Sequence, residues 1–162
     1  MTVRPTPRRT VPASGPELPT PRQGPESGVL PSYIEWLLAR HARSVGRSRT
    51  LLRLQARSWG VPDETTETAV LLLSELMTNA CRHARVPPGR LIGTRCVLLD
   101  RVLRIEVSDA SDDLPQPRSA SPDDESGRGL ALVAALADVW GAHPRECGIG
   151  KTVWCELTIT GG

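Results

Sequence analysis

The chain has 162 residues, enough for one domain with a full core and little more. Hydrophobic residues make up 39% and the net charge is +2. No run of about 18 apolar residues is present to cross a membrane, and the arginine-bearing N-terminus lacks the apolar stretch of a secretory signal. The charge is unevenly spread. Residues 1–28 hold seven of the 15 prolines, and Arg4, Arg8, Arg9 and Arg22 outweigh Glu17 and Glu26 there. The remainder is neutral overall, which argues against a basic nucleic-acid-binding face. With only Met1, Val3, Val11 and Leu18 as larger apolar residues, the first 28 positions cannot offset their ordering entropy and read as a disordered tail. Residues 29–162 are then the folded domain, expected in the cytoplasm.

A first strand falls somewhere within Val29–Arg43, although Tyr33–Ala42 reads as easily as a helix. Ser44–Trp59 is an amphipathic helix with Val45, Leu52 and Trp59 on one face and arginines around the rest. Gly60, Val61 and Pro62 end it, and Asp63 offers a cap to a second helix over Glu64–Ala84. That helix has an unbroken apolar stripe: Ala69, Leu72, Leu73, Leu76, Met77, Ala80 and Ala84. Leu91–Leu99 and Val102–Ser108 read as strands, the latter alternating Leu103, Ile105 and Val107 with polar residues. Ala110–Ser126 is acidic and poor in large apolar groups, the pattern of a long mobile loop of the kind that often acts as a lid. A short helix at Gly129–Ala137 precedes strands at Val139–His143 and Thr152–Thr160. The order implies an α+β two-layer sandwich, with helices on one face of a mixed, mostly antiparallel sheet.

Cys81, Cys96, Cys147 and Cys155 contain no C-x-x-C pair and read as buried thiols of a reducing compartment. A zinc site on Cys81 and His83 is disfavoured, since residues two apart on a helix do not share a face. Arginine outnumbers lysine 19 to 1, which carries no chemistry by itself.

Three segments do carry chemistry. On the second helix, taking Leu72 as zero at about 100° per residue, the apolar stripe covers roughly 0–140°. Glu75, Asn79 and His83 then fall near 300°, 340° and 20°, a polar line along the edge of the buried stripe. A carboxylate and an amide four residues apart and half-buried suit a site that binds a metal and orients a nucleophile; an exposed face with a Glu–Asn hydrogen bond is the plainer alternative. In Glu125-Ser126-Gly127-Arg128-Gly129-Leu130, two glycines lie at the head of an apolar helix. They would let backbone N–H groups and the positive helix end meet an anion, or merely serve as a hinge. Asp109 closes the strand IEVSD, where a carboxylate can accept from an exocyclic amine or simply cap a turn. Gly150-Lys151-Thr152 is not a P-loop, because Arg145 stands where its first glycine is needed and a strand follows.

Taken in order, LLLSELMTNACRHA, RIEVSDAS, ESGRGLALVAALADVWG and GKTVWCEL resemble the GHKL ATPase family of histidine-kinase, gyrase and MutL-type domains. The likeness, over roughly residues 44–160, is nearest to the small bacterial anti-sigma regulatory factors that act as serine kinases. It implies the Bergerat α/β sandwich with ATP and Mg²⁺ as cofactors. It further implies Glu75 as general base, Asn79 as the Mg²⁺ ligand and His83 near the phosphates. Asp109 would recognise the adenine amino group with Ser111 close by. Gly127, Arg128, Gly129 and Leu130 would form the lid hinge and phosphate-facing helix start, and Thr152 would lie near the adenine. The implied partners are a sigma factor and an anti-sigma-factor antagonist, with no direct nucleic acid or membrane contact and homodimerisation left open. One departure stands out: the D-x-G-x-G box reads Asp109-Ala110-Ser111-Asp112-Asp113, without either glycine. The leading expectation is an ATP-dependent protein serine/threonine kinase. The alternatives are a non-catalytic ATP-gated switch and a nucleotide-independent binding module.

Overall fold

A computed structural model describes residues 29–82, 87–114 and 125–160. The tail, His83, and most of the acidic loop lie outside the described residues. The elements run β1 (Ser32–Ala39), α1 (Ala42–Ser58), α2 (Asp63–Arg82), β2 (Leu91–Leu99), β3 (Val102–Asp109), α3 (Glu125–Leu136), β4 (Val139–Pro144) and β5 (Lys151–Thr158). The five strands form one sheet in the order β1-β2-β3-β5-β4. Every pairing is antiparallel, so the mixed sheet expected from the sequence is purely antiparallel among the described residues. The physical reason is connectivity: α3 leads into β4 on the far edge, and a tight turn then brings β5 back between β4 and β3.

The ambiguous segment before α1 is a strand. Its alternation puts Ile34, Trp36 and Leu38 toward the core while Tyr33, Glu35 and Leu37 face out. The helices cover that inner face. α2 buries Ala69, Leu72, Leu73, Leu76, Met77 and Ala80 against Ile92, Cys96, Leu103, Ile105, Val107, Val153 and Cys155. Each fully buried leucine of this stripe contributes about 1.5–3 kcal/mol relative to exposure.

α1 is held less by hydrophobic area than its pattern implied. Its buried face consists of Ser44, Ser48, Leu52 and Ala56, with Val45 and Trp59 only packed against the core's edge. The serines are satisfied locally. Ser44 Oγ donates to the Ala39 carbonyl at 2.6 Å, and Ser48 Oγ accepts from the Trp36 indole N–H at 3.1 Å. These two bonds tie the helix to the strand before it.

The outer sheet face is open but not bare. Arg104 stacks 4.0 Å over Trp154 and donates to Glu106 at 2.6 Å and Glu156 at 2.9 Å. Arg95 reaches Glu35 at 3.2 Å and lies over Tyr33.

The cysteines divide, correcting the reading of four buried thiols. Cys96 and Cys155 are buried on one rung of the sheet, either side of Ile105, Cys81 is half-buried, and Cys147 is exposed in the β4–β5 turn. Cys147 lies outside the strands, in the turn between β4 and β5. Burial pushes the Cys155 thiol up to about 12 from an ordinary 9.0, and raises Cys96 as well. A raised value in the fold means the protonated thiol is favoured there. The associated stability is therefore fully present below the ordinary thiol value and drains away as pH rises through it toward 12. The urea midpoint should hold steady between about pH 7 and 8 and fall above about pH 9, and less steeply in Cys155→Ala. In the folded state a colorimetric thiol reagent should modify Cys147 quickly and leave Cys96 and Cys155 untouched until denaturant is added; rapid modification of all four would contradict this burial.

Candidate functional site

The site begins with the rotational setting of α2. Because the helix must bury the face carrying Leu72, Leu76, Met77 and Ala80, Glu75 and Asn79 are left half-buried at the border of that face. The Thr94 hydroxyl donates to Met77 Sδ at 3.4 Å, fixing this stretch of α2 over β2. Thr94 pairs across the sheet with Val107, two residues before Asp109.

The head of α3 packs against the same two side chains. A methyl group at Gly129, which is buried, would lie 2.8 Å from Glu75 Oε2 and 3.5 Å from Asn79 Oδ1. The absence of a side chain at 129 is what lets the first turns of α3 approach the carboxylate and the amide so closely. Arg128 is exposed and Leu130 half-buried; Gly127 lies within the helix one residue earlier than Arg128. Glu75, Asn79 and Gly129, picked out in the sequence by spacing and resemblance, are thus brought together across two helices.

Asp109 belongs to a second cluster at the ends of β3 and β5. It continues the inward alternation of Leu103, Ile105 and Val107, so its carboxylate lies on the helix side of the sheet, 4% exposed. Its partner on β5 is Lys151, whose Nζ lies 3.1 Å from Asp109 Oδ1, both side chains being almost fully buried. The Ser111 N–H donates to the same Oδ1 at 2.8 Å, and the Ser111 hydroxyl accepts from the Asp113 N–H at 3.3 Å. The glycine-less box is therefore shaped by side chain–backbone turns instead.

The glycine that permits a close approach is on the facing strand. Gly150 has φ +86°, and a Cβ there would collide with the Asp109 carbonyl oxygen. Its N–H donates to Asp112 Oδ1 at 2.7 Å, so the β4–β5 turn is pinned to the segment after β3.

Thr152 is placed on the other side of the sheet. It is buried, but it shares the outward alternation of Trp154 and Glu156, and its hydroxyl shares a 2.7 Å hydrogen bond with Ser108. The structure puts Lys151, not Thr152, next to Asp109. Strand parity explains the difference: moving one residue along β5 turns the side chain to the opposite face. The signal was legible, since Lys151 shares parity with Val153, Cys155 and Leu157. His83 lies outside the described residues.

Among the described residues no group of three or more histidine, cysteine or acidic side chains is gathered as a ready-made metal cage. Two clefts of about 560 and 430 Å³ lie on the outer sheet face around Leu37, Gly93, Ser108 and Arg145, and neither contains Glu75, Asn79 or Asp109.

A family model described as a histidine kinase-like ATPase domain matches residues 38–154. The chain belongs to that family. This histidine kinase-like ATPase domain thus carries the matched region from the end of strand β1 to the middle of β5, spanning both clusters just described. Membership implies an ATP-binding site. No curated protein matches the chain. Among solved structures, the fold is similar to the crystal structure of the RsbU and RsbW domains of Rv1364c from Mycobacterium tuberculosis. That match has a TM-score of 0.60 at 18% identity, covering 81% of this chain and 33% of the other. The chain spans about a third of that protein's length, and the likeness establishes the fold. No helix among the described residues is long and apolar enough to cross a membrane.

Gly150→Ala should combine the cost of a positive φ with the collision at Asp109. We expect a loss of more than about 2 kcal/mol in urea unfolding, against about 1–3 kcal/mol for an unfavourable backbone conformation alone. Gly148→Ala, at φ +77° with open space around it, isolates the backbone cost and should lose less.

Proposed function

We propose that this domain is an ATP- and Mg²⁺-dependent anti-sigma regulatory factor that phosphorylates a serine or threonine of an anti-sigma-factor antagonist. The observation that carries the reading is the meeting of Glu75 and Asn79 with the backbone of Gly129. A carboxylate, an amide oxygen and a helix head in one place are the parts that phosphoryl transfer requires. The similarity to a structure containing an RsbW domain supports the regulatory half of the reading.

The donor chemistry fits Mg²⁺. It prefers hard oxygen ligands and is commonly held by one or two protein groups plus phosphates and water, which suits the Asn79 side-chain oxygen without a dedicated cage. When bound, the metal would neutralise charge on the phosphates. The domain's own residues do the rest. Asp109 accepts from the adenine exocyclic amine, with Ser111 and Lys151 holding its carboxylate in place. N–H groups at the head of α3, around Gly127–Gly129, face the phosphates and stabilise negative charge developing there. Glu75 takes the proton of the incoming hydroxyl as its oxygen bonds to the γ-phosphorus and the bond to the bridging oxygen of the departing ADP breaks. Phosphorylation would release the antagonist and leave the kinase free to hold its sigma factor. Homodimerisation and cytoplasmic location belong to the same proposal.

A second reading, a non-catalytic module whose nucleotide site sets partner affinity, takes its support from the Asp109 carboxylate already holding two donors.

Calorimetric titration of the full chain should give ATP binding that strengthens with Mg²⁺, and Asn79→Ala should lose the Mg²⁺-dependent part. Glu75→Gln should bind ATP within a few-fold of wild type yet transfer phosphate to the antagonist about 10²–10⁴-fold more slowly, the usual range for losing a general base. An unchanged transfer rate would remove Glu75 from that role, and ATP binding without any transfer would favour the second reading.

A further inference from the structure

Lys151 is the only lysine among the 20 basic residues of the chain. At this position a compact ammonium stands in place of a planar, forked guanidinium. That position is buried: Lys151 is 3% exposed and sits opposite Asp109 in the β3–β5 register. Its ammonium has three N–H donors, and among the described residues it makes one hydrogen bond, to Asp109 Oδ1. The Ser111 amide converges on the same oxygen. Both donors thus fall on Oδ1, while Oδ2 remains as a second acceptor on the same carboxylate.

An acceptor and a donor are thereby held side by side in a water-poor setting. That pair is complementary to one edge of adenine, which presents an amine donor at N6 beside an acceptor at N1. Guanine presents the reverse order on the corresponding edge, a carbonyl acceptor at O6 beside an N1–H donor. A carboxylate facing O6 and an ammonium facing N1–H would leave both buried charged groups wrongly matched, a mismatch that discriminates strongly because the partners cannot turn to water.

We infer that Lys151 is a specificity-determining residue, donating to adenine N1 while the Asp109 carboxylate accepts from the N6 amine. This rests on the reading of Asp109 as the adenine site. Lys151 then reads the base directly, and the same ion pair that holds Asp109 in position sets the preference for adenine over guanine.

The test uses ligands altered at single atoms. The full wild-type chain is titrated with ATP, with 1-deaza-ATP, in which a C–H replaces N1, and with GTP. A lost hydrogen bond from a charged donor should weaken 1-deaza-ATP about 10- to 100-fold relative to ATP, and GTP should not compete measurably. In Lys151→Met, ATP and 1-deaza-ATP should bind within about threefold of one another. Because that variant leaves a buried carboxylate unpaired and could unfold, D109N/K151M serves beside it. It removes both charges yet keeps an amide oxygen to accept from the amine, and the N1 dependence should vanish there too. A purely structural Lys151 would lower affinity for both nucleotides equally and preserve their ratio. Equal binding of the two nucleotides by wild type, or the same penalty in wild type and variants, overturns the assignment while leaving the ATP site standing. Failure of wild type to bind ATP at all overturns the ATP site and this assignment together.

Discussion

The burial of one stripe of α2 sets the geometry on which both candidate-site clusters depend. Leu72, Leu73, Leu76, Met77 and Ala80 must face the sheet, and a helix has no freedom to rotate once five such side chains are interdigitated with β-strands. Glu75 and Asn79 inherit their half-buried positions from that constraint. They belong to the helix's border, where a polar group can reach a ligand without being flooded by water. The same packing presses α2 over Thr94 and, through the sheet register, over the strand that ends in Asp109. A shift of one residue in the helix register would carry the carboxylate away from Gly129 and leave α3 without its close neighbour.

The sequence made the framework legible wherever a single period dominated. The stripe of α2, the alternation of β3 and the β5 run VWCEL left little choice about which side faced inward. Legibility failed where burial did not use large apolar groups. α1 seats itself through Ser44 and Ser48, whose role depends on partners in β1 that no periodicity reveals. The β1 segment YIEWLLA satisfied helical and strand spacing alike, and only pairing with β2 decides it. Glu75, Asn79, Gly129 and Asp109 were readable as candidates, since motif spacing picks out the same residues that the fold gathers into its two clusters. Thr152 was attractive as a polar residue at the right place in the chain, yet parity sends it to the opposite face, and the overlooked neighbour Lys151 holds the inward position. The box after Asp109 has no glycines, and a close backbone approach to Asp109 is made instead from the β4–β5 turn, at Gly150.

The two faces of the sheet divide their labour. On the helix side, the Asp109–Lys151 pair is almost fully buried among the described residues, and the Ser111 amide also holds its carboxylate. On the outer side, Arg104 and Arg95 are shared among carboxylates and aromatic rings that water can still reach, so each contact is individually weak and together they cover Trp154 and Tyr33. This arrangement lets one antiparallel sheet carry its buried polar clusters on one side without an apolar slab on the other.

Having a single lysine has a practical consequence of its own. Any reagent or modifying enzyme that acts on primary amines meets, on the described part of the folded surface, nothing to attack. The ε-amine of Lys151 is 3% exposed and should be acylated slowly in the folded chain, and an acyl group there would remove the charge that pairs with Asp109. Amine chemistry at Lys151, read apart from that at the chain's α-amine, therefore reports how accessible the end of the β3–β5 pair becomes.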